Sequence, residues 1–522
     1  MKKYSFNYMY KTCLVIISAI ILNGCKKSTF DSQFYNPDAS VTASVPTLYA
    51  GLFNNSYIVP KYWNLYTLLI PVMGEYSQES GYTMGNKVYE QPVNYTTSKW
   101  DNYYTTVLSQ YREIQKYYNA LTSADDKAGY KVFLETANIF FYDQTAQMVD
   151  LWGDIPFFDA GSLNAAGKIA PAKYDSAASI YTFILNDLDR INSYLDTVNV
   201  ASFYSSMLTK YDYVNGGSIS KWRKYANSLR MRLAMRISYY DEATAKGIVM
   251  NMLNNATKYP MIQQNSDGVQ INLAGNMIST SNDIRNGFGG NPYGSGYMID
   301  SLMVPSNDPR LPFYFLANAS KSYHGISNTI SQADVVAGQQ ANSFSRWDST
   351  TFTENNNFPG IIFDAAESNF LMAEAYQRWG SVSQAQSAYN NGIGQSIAFY
   401  YAINNNSSYS AKKLTMPTTT AINAFLANAN VALGSNAQSN LAKIASQKWI
   451  DFNVMQGNQA WAEYRRTKLP VLYFPVDNSS VIAKQPPYRF VYPGEESSLN
   501  TANYNAVKSK DNIYTKIFWD VK

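Results

Sequence analysis

The chain has 522 residues, with 42 basic and 38 acidic side chains, one histidine and two cysteines. So even a balance gives no sign of the concentrated basic face that a nucleic-acid partner needs, and one histidine excludes a two-histidine metal site. Charged residues make up only 15% of the chain, against about 25% in typical proteins, while tyrosine reaches 44. The surface must therefore lean on Tyr, Asn, Ser, Thr and Gln, which suits neutral, hydroxyl-rich ligands.

The first element is not part of a fold. Met1 to Lys11 carries Lys2, Lys3 and Lys11 and no acid, Cys13 to Leu22 is almost wholly apolar, and small residues follow. This order predicts a secretory signal over residues 1–24, since the apolar run is too short to span a bilayer comfortably. It ends in Leu22-Asn23-Gly24-Cys25, which resembles the bacterial lipoprotein processing box, whose cysteine becomes the new N-terminus and carries lipid. Cys25 is thus the expected lipidation site, and several acyl chains together anchor a protein stably. Processing leaves 39 basic against 38 acidic residues, and with Cys13 removed and Cys25 acylated no disulfide is possible. Stability must come from burial, for which nearly 500 residues are ample.

Helix patterns follow in order. Trp100, Tyr103, Tyr104, Val107, Leu108, Tyr111 and Ile114 fall at helical spacing, and Phe133, Ala137, Phe140, Phe141, Met148 and Leu151 form a second face. That second helix should end near Gly153, with Pro156 beyond it. Asp175 is placed to cap a third helix with the stripe Ile180, Ile184, Leu188 and Ile191. Trp222, Tyr225, Leu229, Leu233 and Ile237 mark a fourth, on which Arg230, Arg232 and Arg236 predict a solvated or ion-paired face. From about 255 to 360 the pattern breaks into Gly-, Asn- and Pro-rich sequence that predicts loops and short extended pieces. Helices resume around 364–379, 383–400 and 437–456, and residues 470–522 read as irregular. Within "LMAEAYQRWGSVSQAQSAYNNGI", Ala373, Tyr376, Ala385 and Tyr389 match the small and aromatic positions of a tetratricopeptide pair, without a clear repeat at fixed period.

The stretches "FYDQTAQMVDLWGDIPFFDA", "KYDSAASIYTFILNDLDRI", "KWRKYANSLRMRLAMRIS", "DPRLPFYF", "ESNFLMAEAYQRWG" and "IASQKWIDFNVMQGNQAWAEYRRTKLP" resemble, in this order, the SusD/RagB-type outer-membrane lipoproteins of Bacteroidetes. The resemblance runs from Cys25 to the final "FWD". It implies a mostly α fold, an α-α superhelix of tetratricopeptide-like pairs with the long loop-rich insertion packed against them, residues 25–522 forming one nutrient-binding domain. It also implies a role: a lipid-anchored lid, facing the cell exterior, on a SusC-like TonB-dependent transporter, capturing a nutrient, most often a glycan, and passing it to the pore. Such proteins bind without catalysis and without a cofactor.

Sugar recognition needs flat apolar faces flanked by amide and carboxylate groups, and works best from loops on a rigid scaffold. Two stretches offer this. "GYTMGNKVYEQPVNY" supplies Tyr82, Asn86, Tyr89, Asn94 and Tyr95, while the insertion supplies Tyr323, His324, Arg346, Trp347 and Asp348. Tyr82, Asn86, Tyr89, Tyr323 and Trp347 are the candidate ligand-binding residues, with Tyr82, Tyr89 and Trp347 expected around a common recess. The single histidine and the lack of a phosphate loop leave little room for catalysis. Two alternatives stand beside glycan capture. One is an all-helical glycoside hydrolase using two carboxylates across a cleft, and the other is a structural or adhesive surface protein without a defined cleft.

Overall fold

The stripe from Phe133 to Leu151 lies on a 29-residue helix, Ala124–Trp152, in the computed structural model. The structure describes residues 43–522 apart from 56, 59–60, 84, 163–170, 272–282 and 410–412, so the predicted signal and Cys25 lie outside the described residues. Ser123 caps the helix by accepting the Asp126 N–H, and Gly153 ends it at φ 78°, a conformation open to a residue without Cβ. Every residue of the predicted face is buried. The Trp100–Ile114 stripe is a continuous helical stretch from Val93 to Asn119 whose middle, Tyr103–Leu108, widens to π geometry.

The third helix, Ala177–Thr197, buries the expected Ile180, Ile184, Leu188 and Ile191, but Asp175 does not cap it. Asp175 instead accepts the N–H groups of Phe157 (3.1 Å) and Phe158 (2.9 Å). Asp154, from the Gly153-Asp154-Ile155-Pro156 turn, accepts the Ala177 N–H at 2.9 Å. The two carboxylates have exchanged ends, because an antiparallel bridge between Ile155 and Asp175 sets each turn beside the other's unpaired N–H groups.

The fourth helix, Ile219–Arg236, buries its apolar face and its arginines alike. Arg230 pairs with Asp189 (2.6 Å), Arg232 with Glu367 (2.5 Å) and Arg236 with Glu463 (2.8 Å). The ion pairing agrees with the sequence reading. The solvation does not, because these side chains point between helices where carboxylates from elsewhere in the chain meet them. Ala365–Trp379 and Val382–Asn405 form the tetratricopeptide-like pair. Ala373, Ala385 and Tyr389 are fully buried at or near their seam, and Ser381 and Gln384 build a capping box at the turn.

The insertion is more helical than its composition suggests. Its ends are clamped by an antiparallel strand pair, Val269–Ile271 with Gly360–Phe363. Between them lie short helices such as Leu311–Tyr314 and Gln332–Gln340, too brief to show a periodicity. The segment after 470 is irregular as expected, with short helical turns near 494–510.

Arg465 and Trp519 tie that last segment to the helices. The Arg465 guanidinium lies 3.9 Å from the Trp461 ring centre and 5.1 Å from that of Trp519. It donates to the carbonyls of Asp150 (2.8 Å) and Tyr488 (2.6 Å). Burial lowers its pKa to about 10, and the contacts with two aromatic faces help compensate for its lost hydration. The Trp519 indole donates to Asp150 Oδ1 at 2.9 Å. No helix among the described residues is long and apolar enough to cross a membrane.

Candidate functional site

Leu65–Met73 is a π-helix with Pro71 inside it, followed by a turn that brings Tyr82 and Tyr89 back onto the helical core. The Tyr82 hydroxyl donates to the Glu75 carbonyl at 2.6 Å and that of Tyr89 to the Pro475 carbonyl at 3.0 Å. The two rings meet edge to face at 6.4 Å. Above them the chain from Val471 to Ser479 forms an exposed tongue, crossing within hydrogen-bond reach of residues nearly 400 positions earlier. Asp477 accepts the Val88 N–H (2.9 Å), and Ser479 accepts the Lys87 N–H (2.7 Å). Gln78 and Asn328 both donate to the Tyr473 carbonyl at 2.5 Å. Burial raises the pKa of Asp477, but its hydrogen bonds from Ser479, Val88 and Lys87 outweigh that and hold it below the usual carboxylate range.

These walls enclose a recess of about 480 Å³ between Tyr82, Asn86, Tyr89, the 327–332 turn and the tongue. A second recess of about 320 Å³ continues from it toward Tyr297, Asp300 and Val471. Tyr82, Asn328 and Tyr473 belong to both, so the two are halves of one groove. Tyr473 is 65% exposed, with its ring free at the junction. Around it the amide and hydroxyl side chains of Asn86, Ser327, Asn328, Thr329, Gln332 and Asn478 stand among the apolar ones of Val88, Ile330, Pro475 and Val476. The charged side chains lining the groove are Asp300 and Asp477, both engaged by neighbouring donors. Among the described residues, no group of three or more His, Cys, Asp or Glu could hold a metal ion.

Of the sequence candidates, Tyr82, Asn86 and Tyr89 meet in this groove. Asn86 is exposed. Tyr82 and Tyr89 are largely covered, at 8% and 0% exposure, so they shape the wall and offer little ring face. Trp347 does not join them. It is 1% exposed and sits among Phe315, Phe352 and Phe288, with ring centres 4.5, 5.2 and 6.1 Å away, so it is core. Its loop is pinned by backbone bonds to Pro292 and Tyr314, which a reading of local composition cannot foresee. Tyr323 is half-buried against the core and lines neither recess, and His324 bonds Asp300 through Nδ1 at 2.9 Å. Sequence reasoning missed Tyr473 and the tongue. The available signal was the apolar run Val471-Leu472-Tyr473-Phe474 without helical periodicity, ending in Asp477-Asn478-Ser479-Ser480.

Residues 47–493 match the SusD-like family described as "Starch-binding associating with outer membrane". Among curated proteins none matches significantly. Many solved structures are similar. A chitin-binding protein is 23% identical with a TM-score of 0.73, over 91% of this chain and 99% of its own. A chitin-binding SusD homologue from Flavobacterium johnsoniae is 24% identical with a TM-score of 0.71, over 92% and 99%. A SusD homologue from Bacteroides vulgatus is 22% identical with a TM-score of 0.68, over 91% and 97%. The family match spans most of the sequence and the fold agrees throughout, so the chain belongs to the SusD-like family.

Proposed function

We propose that the mature chain, anchored to the outer membrane through lipid on Cys25 and facing the cell exterior, captures a glycan in this groove. It then delivers the glycan to a SusC-like TonB-dependent transporter. The observation that carries the reading is the groove's chemistry: neutral amide and hydroxyl groups around the free ring of Tyr473. Such a lining exchanges hydrogen bonds with sugar hydroxyls while the ring covers a sugar's C–H face. The family's description as starch-binding, and two similar structures of chitin-binding proteins, support the ligand class. A binding role without catalysis is supported by the family match, whose description names starch binding and no reaction.

Tyr473→Ala should weaken binding of an oligosaccharide ligand about fivefold to tenfold, the equivalent of roughly 1 kcal/mol for one lost stacking face. Thermal stability should not change, since the ring is exposed. Calorimetry with maltose and N-acetylglucosamine oligomers tests this, with the sugars recovered intact afterwards. Wild-type affinity in the variant would remove Tyr473 from the site. For the anchor, Cys25→Ala should move the protein from the membrane fraction to the soluble fraction of fractionated cells. A variant that stays with the membrane would show that the attachment lies elsewhere.

A further inference from the structure

Behind the Thr83–Glu90 loop, on the side away from the tongue, lies another recess of about 450 Å³. Ile70, Pro71 and Val72 of the π-helix give it apolar lining, and Tyr66 and Tyr95, each 38% exposed, give it ring faces. The Tyr66 ring is fixed in plane by stacking on Tyr62, at 5.1 Å between centres and 19° between planes. Gly290 lies so close beneath it that a Cβ there would come within 2.9 Å of the ring. Glu75 also lines the recess and is 6% exposed. Among the described residues its carboxyl has no hydrogen-bond or ion-pair partner, although buried polar groups ordinarily have one. Burial pushes that carboxyl well above the usual range, which favours the neutral acid, a group that both donates and accepts. The charges at the rim, Lys87 and Glu90, pair with each other at 3.5 Å.

We propose that this recess is a second carbohydrate site that takes an N-acetylated sugar unit, with Glu75 hydrogen-bonded to the acetamido group. The Tyr66 ring covers the sugar face, and the acetamido methyl meets Pro71. A neutral carboxyl suits an amide, whereas an ammonium would need Glu75 ionised against the burial that disfavours its charge. This rests on the glycan reading of the chain but not on the groove, since the Thr83–Glu90 loop separates the two. Asn86 and Val88 face both.

The test is calorimetry of the full chain with chitotriose, its deacetylated glucosamine trimer and maltotriose. Chitotriose should show a class of sites lost at least tenfold in Glu75→Leu and Tyr66→Ala, retained in Glu75→Gln, and unaffected by Tyr473→Ala. The other two trimers should not fill it. Tyr66 is exposed, so its variant folds even where Glu75→Leu does not. Chitotriose binding unchanged in Tyr66→Ala and Glu75→Leu, or equal binding of the deacetylated trimer, overturns the proposal while leaving the groove intact. Failure of every trimer to bind overturns both readings.

Discussion

Replacing Arg466 by alanine should destabilise the fold by about 3–5 kcal/mol, the usual effect of taking one partner from a buried ion network. Arg466 is fully buried and donates to Glu374 at 2.7 and 2.5 Å and to Glu463 at 3.0 and 2.6 Å. Lys448 reaches the same two carboxylates, and Arg236 reaches Glu463. The network joins the helices Ile219–Arg236, Ala365–Trp379, Ala437–Phe452 and Gly457–Thr467, so its loss is felt across the seam of the helical pairs. Denaturant unfolding of both proteins at several pH values measures it, and a loss below about 1 kcal/mol at pH 7 would contradict the argument.

The sign of the pH dependence follows from the same contacts. Burial alone would raise the pKa of Glu374, but Arg466 and Lys448 outweigh it and hold the group down to about 2. Glu463 is likewise held well below its ordinary value. A depressed carboxylate contributes stability that is fully present above its unfolded pKa, near 4.3, and lost as pH falls toward the folded value. The difference between wild type and Arg466→Ala should therefore be largest near neutrality and shrink between about pH 4 and 2. Asp451, which burial raises, titrates with the opposite sign in both proteins, so the difference isolates the network.

Trp347→Ala should cost about 3–5 kcal/mol, as removal of a fully buried aromatic ring does. Its ring fills the space among Phe315, Phe352, Phe288 and Tyr314. Ligand affinity, measured well below the lowered melting temperature, should match wild type. A stable variant with impaired binding would restore Trp347 to the ligand site. This contrasts with Tyr473→Ala, where affinity should fall and melting should not.

The long helices were legible because an apolar stripe such as Phe133–Leu151 is local, and so were stops such as Gly153. Asp175 was misread because its partner N–H groups, at Phe157 and Phe158, come from another turn. Arg232 and Arg236 read by sequence as part of a solvated or ion-paired face, but their burial depends on carboxylates as distant as Glu367 and Glu463. The groove was half legible. Asn86, Tyr82 and Tyr89 sit in a loop that composition singles out. The tongue that completes it joins them only through contacts between segments almost 400 residues apart, for which no local pattern exists. Trp347 shows the converse: a loop residue by sequence, yet carried into the core by the bridge of Phe315 to Trp347.

The clasp between the 83–90 loop and the tongue is made largely with main-chain atoms on one side. The amides of Lys87 and Val88 are gripped by Ser479 and Asp477, and the Tyr473 carbonyl by Gln78 and Asn328. A frame hung on peptide groups does not depend on which side chains occupy Lys87 or Tyr473. Those outward positions, with neighbours such as Asn86 and Asn478, are free to be rewritten while the rim keeps its shape. The mouth of the groove is thus built as a mount with exchangeable fittings, where a change in the chemistry of its lining requires new side chains and no new architecture.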